Sequence, residues 1–204
     1  MVMLVYTVAR QVLTRIRASG RGSVVTPKQF LDIGSRAAVD QTLSRLVRQG
    51  ALQRIGRGLY HYPKRSPRLG DLAPALDAVA RAYARKTGST LQVSGAQAAN
   101  ALGLSTQVPA RTTFITDGAT HQLRVGNQVV FLRRAAPRRL VGAGTPWGTA
   151  LQALAYLGKS GVDANVIRRL RHTLSADSRR ALAQHADAAP DWLRPVIAEL
   201  SGRP

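Results

Sequence analysis

The stretch from Val24 to Tyr62, VVTPKQFLDIGSRAAVDQTLSRLVRQGALQRIGRGLYHY, constrains the fold more than any other part of the chain. It sets two helix starts, a glycine stop and a basic hairpin in close succession. Thr26 stands at an N-cap, Pro27 at the first helical position where its missing N–H costs nothing, and Gln29 at the third position of a capping box. Apolar Phe30, Leu31 and Ile33 fill one short helix, which Gly34 is expected to end by entering left-handed backbone geometry. Ser35 then caps a second helix, Arg36 to Gln49. Its Val39, Leu43, Leu46 and Val47 recur at the spacing of one buried stripe, and Gly50 closes it. Leu52 to Ile55 and Leu59 to Tyr62 flank Gly56-Arg57-Gly58, as two short strands flank a hairpin tip. Two tightly joined helices followed by a basic hairpin make an N-terminal winged helix-turn-helix domain the expected fold.

The side chains opposite the apolar stripe suit the major groove of DNA. Ala37, Gln41, Ser44, Arg45 and Arg48 occupy that face, and Arg36 lies in the first turn. Arginine pairs with guanine O6 and N7, glutamine with adenine N6 and N7, and serine with either. Lys28, Arg54 and Arg57 are the expected phosphate or minor-groove contacts, Arg57 at the tip of the wing. The bland alternative is a solvated basic helix. Against it stands the ordered set of caps, turn glycine and basic wing.

Charge points the same way. The 204 residues hold 30 Lys and Arg against 10 Asp and Glu, a formal net charge of +20, the electrostatic footprint of a polyanion binder. Residues 1–68 carry 13 basic and 2 acidic residues and residues 69–204 carry 17 and 8, so charge density peaks where the reading helix is expected. Only 5% of residues are aromatic, which disfavours a platform that stacks single-stranded bases. An RNA regulator is the weaker reading, because the deep A-form major groove does not admit such a helix. No apolar run approaches the roughly 20 residues that span a bilayer, and in MVMLVYTVA the positive charges follow the apolar run, the wrong order for a secretory signal. With no cysteine in the chain, a cytoplasmic location is expected and no membrane partner.

Beyond the hairpin, PKRSPRLGDLAP at 63–74 breaks both periodicities and reads as a basic linker between a domain at 1–68 and another at 75–204. Residues 4–18, with Val5, Val8, Val12, Leu13 and Ile16 in phase, read as a supporting helix of the first domain. Arg17 and Arg21 beside the Gly20-Arg21-Gly22 bend are either phosphate contacts or an unpartnered basic loop. The second domain is expected to be α+β and mainly helical, with a small antiparallel sheet. Its helices are expected over Ala75–Lys86, after Ser94, and after Thr145-Pro146, Asp163, Ser175 and Pro190-Asp191; its strands are expected at 91–93, 111–116, 121–125 and 128–132, the last two joined by Gly126-Asn127.

Catalytic patterns are weak. His61, His121, His172 and His185 are scattered, with no second ligand at helical spacing. Gly142-Ala143-Gly144 lacks the Lys-Ser/Thr of a phosphate-binding loop, Ser94-Gly95 lacks a Gly-x-Ser-x-Gly frame, and Asp117 is explained by its turn. No enzyme activity, metal or cofactor is expected.

Three segments together resemble the AbiEi family of antitoxins: TPKQFLDIGSRAAVDQTLSRLVRQGALQRIGRGLYHYPK, SGAQAANALGLSTQVPARTTFITDG and LRVGNQVVFLRRAAPRRL. The match is specific in the first two and looser after Thr145. The resemblance implies a winged helix followed by an antitoxin domain, encoded upstream of a nucleotidyltransferase-type toxin in a phage-resistance system. It also implies repression of its own operon through inverted repeats in double-stranded promoter DNA. Carried over by position, the reading helix is Arg36 to Arg48 and the wing is centred on Arg57. Direct contact with the toxin stays open. So do two alternatives, a protein-interaction module that neutralises an enzyme partner and a stand-alone winged-helix regulator.

Overall fold

The computed structural model describes residues 7–202, which form an α+β fold dominated by helices with short antiparallel strands. Two compact units emerge. One comprises residues up to Gly88 together with Leu123–Val130, and the other Ser89–Gln122 with the residues from Phe131 onward.

In the first unit, helix α1 (Val8–Ala18) starts where Thr7 Oγ1 accepts from the Arg10 amide, and it buries Val12 and Ile16. The expected helical residues 4–6, Val5 included, lie outside the described residues. Strand β1 (Val24–Val25) follows, then a single 3-10 turn at Pro27–Phe30 where an α-helix through Ile33 was expected. The Gln29 amide bonds the Thr26 carbonyl three residues back, so the turn tightens at once. The expected capping box is present, with Gln29 Oε1 accepting from the Thr26 amide at 2.8 Å. Arg15 grips the turn from α1. Its guanidinium meets both Asp32 oxygens at 2.7 and 2.8 Å and the Gln29 carbonyl at 2.8 Å, and this hydrogen-bonded pairing holds the Asp32 carboxyl below its usual range.

Gly34 departs from expectation. It does not adopt a positive φ; instead a Cβ there would lie 2.9 Å from Val8 Cγ2. The glycine serves the close approach of α1, not a left-handed turn.

Helix α2 (Arg36–Arg48) begins where Ser35 Oγ accepts from the Ala38 amide and ends before Gly50 at φ +67°. Strands β2 (Gln53–Gly56) and β3 (Leu59–His61) form the expected hairpin, turning through Arg57-Gly58, and the sheet runs in the order β1-β3-β2. Val12, Ile16, Phe30, Val39, Leu43 and Leu52 fill the core beneath it. Each such side chain, fully buried, stabilises the unit by about 1.5–3 kcal/mol.

The expected linker is not a plain linker. Arg65–Ser66 (β4) and Gly70–Asp71 (β5) pair antiparallel, and Arg65 Nε meets Asp71 at 3.1 Å. Nor does the first unit end at Arg68. Helix α3 (Leu76–Thr87) packs on β1 and β3, burying Val79, Ala80, Ala82 and Ala84, and Arg85 donates to the Val24 carbonyl at 3.2 Å.

His61, fully buried on β3, gives this unit a pH dependence. Gln53 donates to Asp71, so its carbonyl oxygen, 3.4 Å from His61 Nδ1, needs the Nδ1–H tautomer. Nε2 is then bare and has no partner. Burial lowers the His61 pKa, opposed by the Asp71 charge. The unfolded chain therefore binds the extra proton first, and stability falls as pH drops below about 6.5. Thermal melting of the wild type is expected to shift down between about pH 7 and 5, with His61→Gln flattening that slope. Parallel pH profiles for the two proteins would show that His61 is not the group responsible.

The second unit contains strand β6 (Leu91–Val93), helix α4 (Gly95–Ala101) and strand β7 (Thr112–Thr116). Strands β8 (His121–Val125) and β9 (Gln128–Arg134) are divided between the units, Leu123–Val130 belonging to the first, and the sheet runs in the order β6-β7-β9-β8. Periodicity does not give this order: β9 lies between β7 and β8, and β6 pairs antiparallel with β7. Gly126 takes φ +57° and Asn127 does not, as a glycine-first turn requires. Helices α5 (Pro146–Gly161, interrupted at Gly158), α6 (Ala164–Thr173), α7 (Ala176–Gln184) and α8 (Arg194–Ser201) follow. Thr145, Asp163 and Ser175 cap the first three through their side chains. Leu151, Leu154, Leu170, Leu182, Ile197 and Leu200 make the core. Helix α4 lies close on α5 because Gly95 is small: a Cβ there would sit 2.5 Å from Tyr156 Cβ.

Candidate nucleic-acid interface

Helix α2 separates its two faces cleanly. Val39, Thr42, Leu43 and Leu46 are buried, while Ala37, Gln41, Ser44, Arg45 and Arg48 are exposed at i, i+4, i+7, i+8 and i+11. That spacing lays the five on one stripe along the helix axis. Arg36 is also exposed, but its Nε meets Asp40 at 2.7 Å, a pair on the helix's own surface. Exposed pairs of this kind are worth about 0–1 kcal/mol, so a phosphate can displace the carboxylate.

The remaining candidates lie on the elements around α2. Lys28 is exposed on the 3-10 turn, Arg54 on β2, and Arg57 in the two-residue turn between β2 and β3. The Arg57 carbonyl accepts from Lys86 Nζ of α3 at 2.7 Å, so the hairpin tip is held by its backbone, while the Arg57 residue is exposed. Lys86, which holds the tip of the candidate interface, was not singled out from the sequence. It sits in the last turn of a helix assigned to the other domain, and nothing local marks its reach to residue 57. Arg21, left open between a phosphate contact and an unpartnered loop, has partners within the unit: it donates to the Pro63 carbonyl at 3.1 Å and lies 4.9 Å over the Tyr62 ring.

Few carboxylates remain to neutralise these cations. Six of the ten acidic residues stand in ion pairs, and Asp117 and Asp163 accept from the Thr90 and Val166 amides. Lys28, Arg45, Arg48, Arg54 and Arg57 therefore have no ion-pair partner among the described residues, and unneutralised guanidinium groups on a +20 chain attract phosphate.

A profile described as a family of unknown function, DUF6088, matches residues 11–182, a span that takes in both units. The chain belongs to the DUF6088 family. No curated protein matches the DUF6088 sequence. The DUF6088 chain is similar to the crystal structure of the RV2827C protein from Mycobacterium tuberculosis, with 17% identity over 97% of this chain and 82% of that one and a TM-score of 0.40. Among the described residues of the DUF6088 chain, no group of three or more His, Cys, Asp and Glu side chains is placed to hold a metal ion, and no helix is long and apolar enough to cross a membrane.

Proposed function

We propose that this chain is a winged-helix DNA-binding repressor that acts on inverted repeats in its own promoter and serves as the antitoxin of a nucleotidyltransferase-type toxin. It acts in the cytoplasm and carries no catalysis or cofactor of its own. One observation supports the reading above all: the exposed stripe Ala37, Gln41, Ser44, Arg45 and Arg48 on a helix whose other face is buried, with neither arginine in an ion pair among the described residues. The backbone-pinned hairpin tip beside it supplies a phosphate contact through Arg57. Phosphate contacts set affinity and register, and the α2 side chains select bases.

The antitoxin role draws on the resemblance to AbiEi antitoxins. Co-expression with the product of the adjacent reading frame is its test: restored growth of cells carrying a nucleotidyltransferase toxin supports it, and continued toxicity removes that half of the proposal.

The hairpin provides a separable check on the DNA half. Arg57→Ala or Arg54→Ala is expected to weaken binding to promoter and random duplex alike, and to flatten the salt dependence of log Kd by about 0.9 per lost phosphate contact. Gel-shift titrations at several salt concentrations measure both. An unchanged slope would take these residues off the phosphates.

A further inference from the structure

The second unit carries a groove that DNA reading by α2 does not use. Its volume is about 670 Å3, within the roughly 300–1,000 Å3 typical of small-molecule sites. One wall is the face of α6 that carries Asn165, Arg168, Arg169 and His172; the other is Gly103 and Leu104, in the turn that follows α4.

The lining combines three chemistries. Arg168 and Arg169 are exposed, and neither guanidinium has a hydrogen-bond or ion-pair partner among the described residues. Asp163 is the groove's one carboxylate, and its Oδ1 is taken by the Val166 amide at 2.8 Å. Leu104 and Val166 give the groove an apolar strip, and Asn165 adds an amide able both to donate and to accept. Arg169 lies over Gly103, which turns at φ +64°: a Cβ there would stand 2.5 Å from Arg169 Nη2 and 2.9 Å from its Cζ, so the guanidinium sits against the opposite wall of the groove.

We infer that this groove binds a nucleoside polyphosphate, with the phosphates on Arg168, Arg169 and His172 and the nucleoside along Leu104 and Val166. Fork-shaped guanidinium donors match phosphate oxygens in pairs, and a guanidinium plane also stacks on a base. The inference stands apart from the DNA-binding reading, since no residue of α2 or of the β2–β3 hairpin takes part.

Isothermal titration of the full chain with ATP, inorganic pyrophosphate and adenosine tests it. ATP is expected to bind saturably below about 1 mM, more tightly than pyrophosphate, with adenosine weakest. The double variant Arg168→Ala/Arg169→Ala is expected to lose at least about tenfold in ATP affinity. Arg133→Ala/Arg134→Ala, which removes the same charge from exposed positions on β9, is expected to change it by less than about twofold. Asn165→Asp, which keeps every cation and adds a carboxylate inside the groove, should also weaken binding and guards against a folding defect in the double variant. Equal losses in the two arginine doubles would reduce the effect to general charge attraction and overturn the site. So would pyrophosphate binding as tightly as ATP, or an absence of saturable ATP binding.

Discussion

Replacing Arg45 and Arg48 together by alanine is expected to weaken binding to an inverted-repeat promoter duplex by about 3 kcal/mol, roughly a hundredfold. Both side chains stand on the exposed stripe of α2, one turn apart, and neither meets a carboxylate among the described residues. A bidentate arginine–guanine contact is worth about 1–3 kcal/mol of discrimination, so the loss should fall mainly on the specific duplex and relax base preference at the positions contacted. Gel-shift or anisotropy titration against promoter and random duplexes separates the effects. Equal weakening on both would assign the two arginines to phosphate instead. The fold should survive, because neither side chain is buried and Leu43, Leu46 and Val39 on the opposite face are untouched.

Gly148→Ala is expected to cost about 3 kcal/mol or more in stability, the largest single effect foreseen in the second unit. A Cβ at this position would lie 1.9 Å from the Gly142 carbonyl oxygen and 2.4 Å from its carbonyl carbon. Both are backbone atoms, so no rotamer change relieves the clash. The same carbonyl accepts from Thr145 Oγ1 at 2.6 Å, and that hydroxyl caps α5 through the Gly148 amide at 3.0 Å. Displacing the carbonyl therefore also loosens the cap, worth about 1 kcal/mol by itself. Thermal denaturation followed by circular dichroism measures the loss, and an unchanged midpoint would mean that the 142–145 turn moves aside freely.

Punctuation carried most of the legible fold. Thr7 escaped notice, but Ser35, Gly50, Thr145, Asp163 and Ser175 marked helix ends correctly, because caps and left-handed glycines act within four residues of the groups they satisfy. The exposed stripe of α2 was legible for the same local reason, as a helix exposes what its period predicts. Features set by distant packing were not legible. Gly34 looked like a turn glycine and proved to be a contact point for Val8. Val24–Val25 is too short to show a period, yet becomes a strand because β3 lies beside it. The Pro-rich stretch at 63–74 held a two-residue ladder that composition hides. Helix α3 was located correctly but given to the wrong unit, since its amphipathic pattern shows a buried side without showing what covers it. Within the candidate interface, the sequence yielded the residue types and their exposure but not the Arg36–Asp40 pair or the anchor from Lys86.

That anchor bears on the entropy of recognition. A free hairpin tip would have to immobilise its backbone as it met DNA, at about 1–2 kcal/mol for each residue ordered. If Arg57 meets phosphate as proposed, the Lys86–Arg57 hydrogen bond holds the tip's backbone already when the first unit folds, leaving the Arg57 side chain to be ordered on contact, about 0.5–1.5 kcal/mol. On the proposed reading, a lysine bound to the tip's backbone moves most of the ordering cost from the binding step to the folding step.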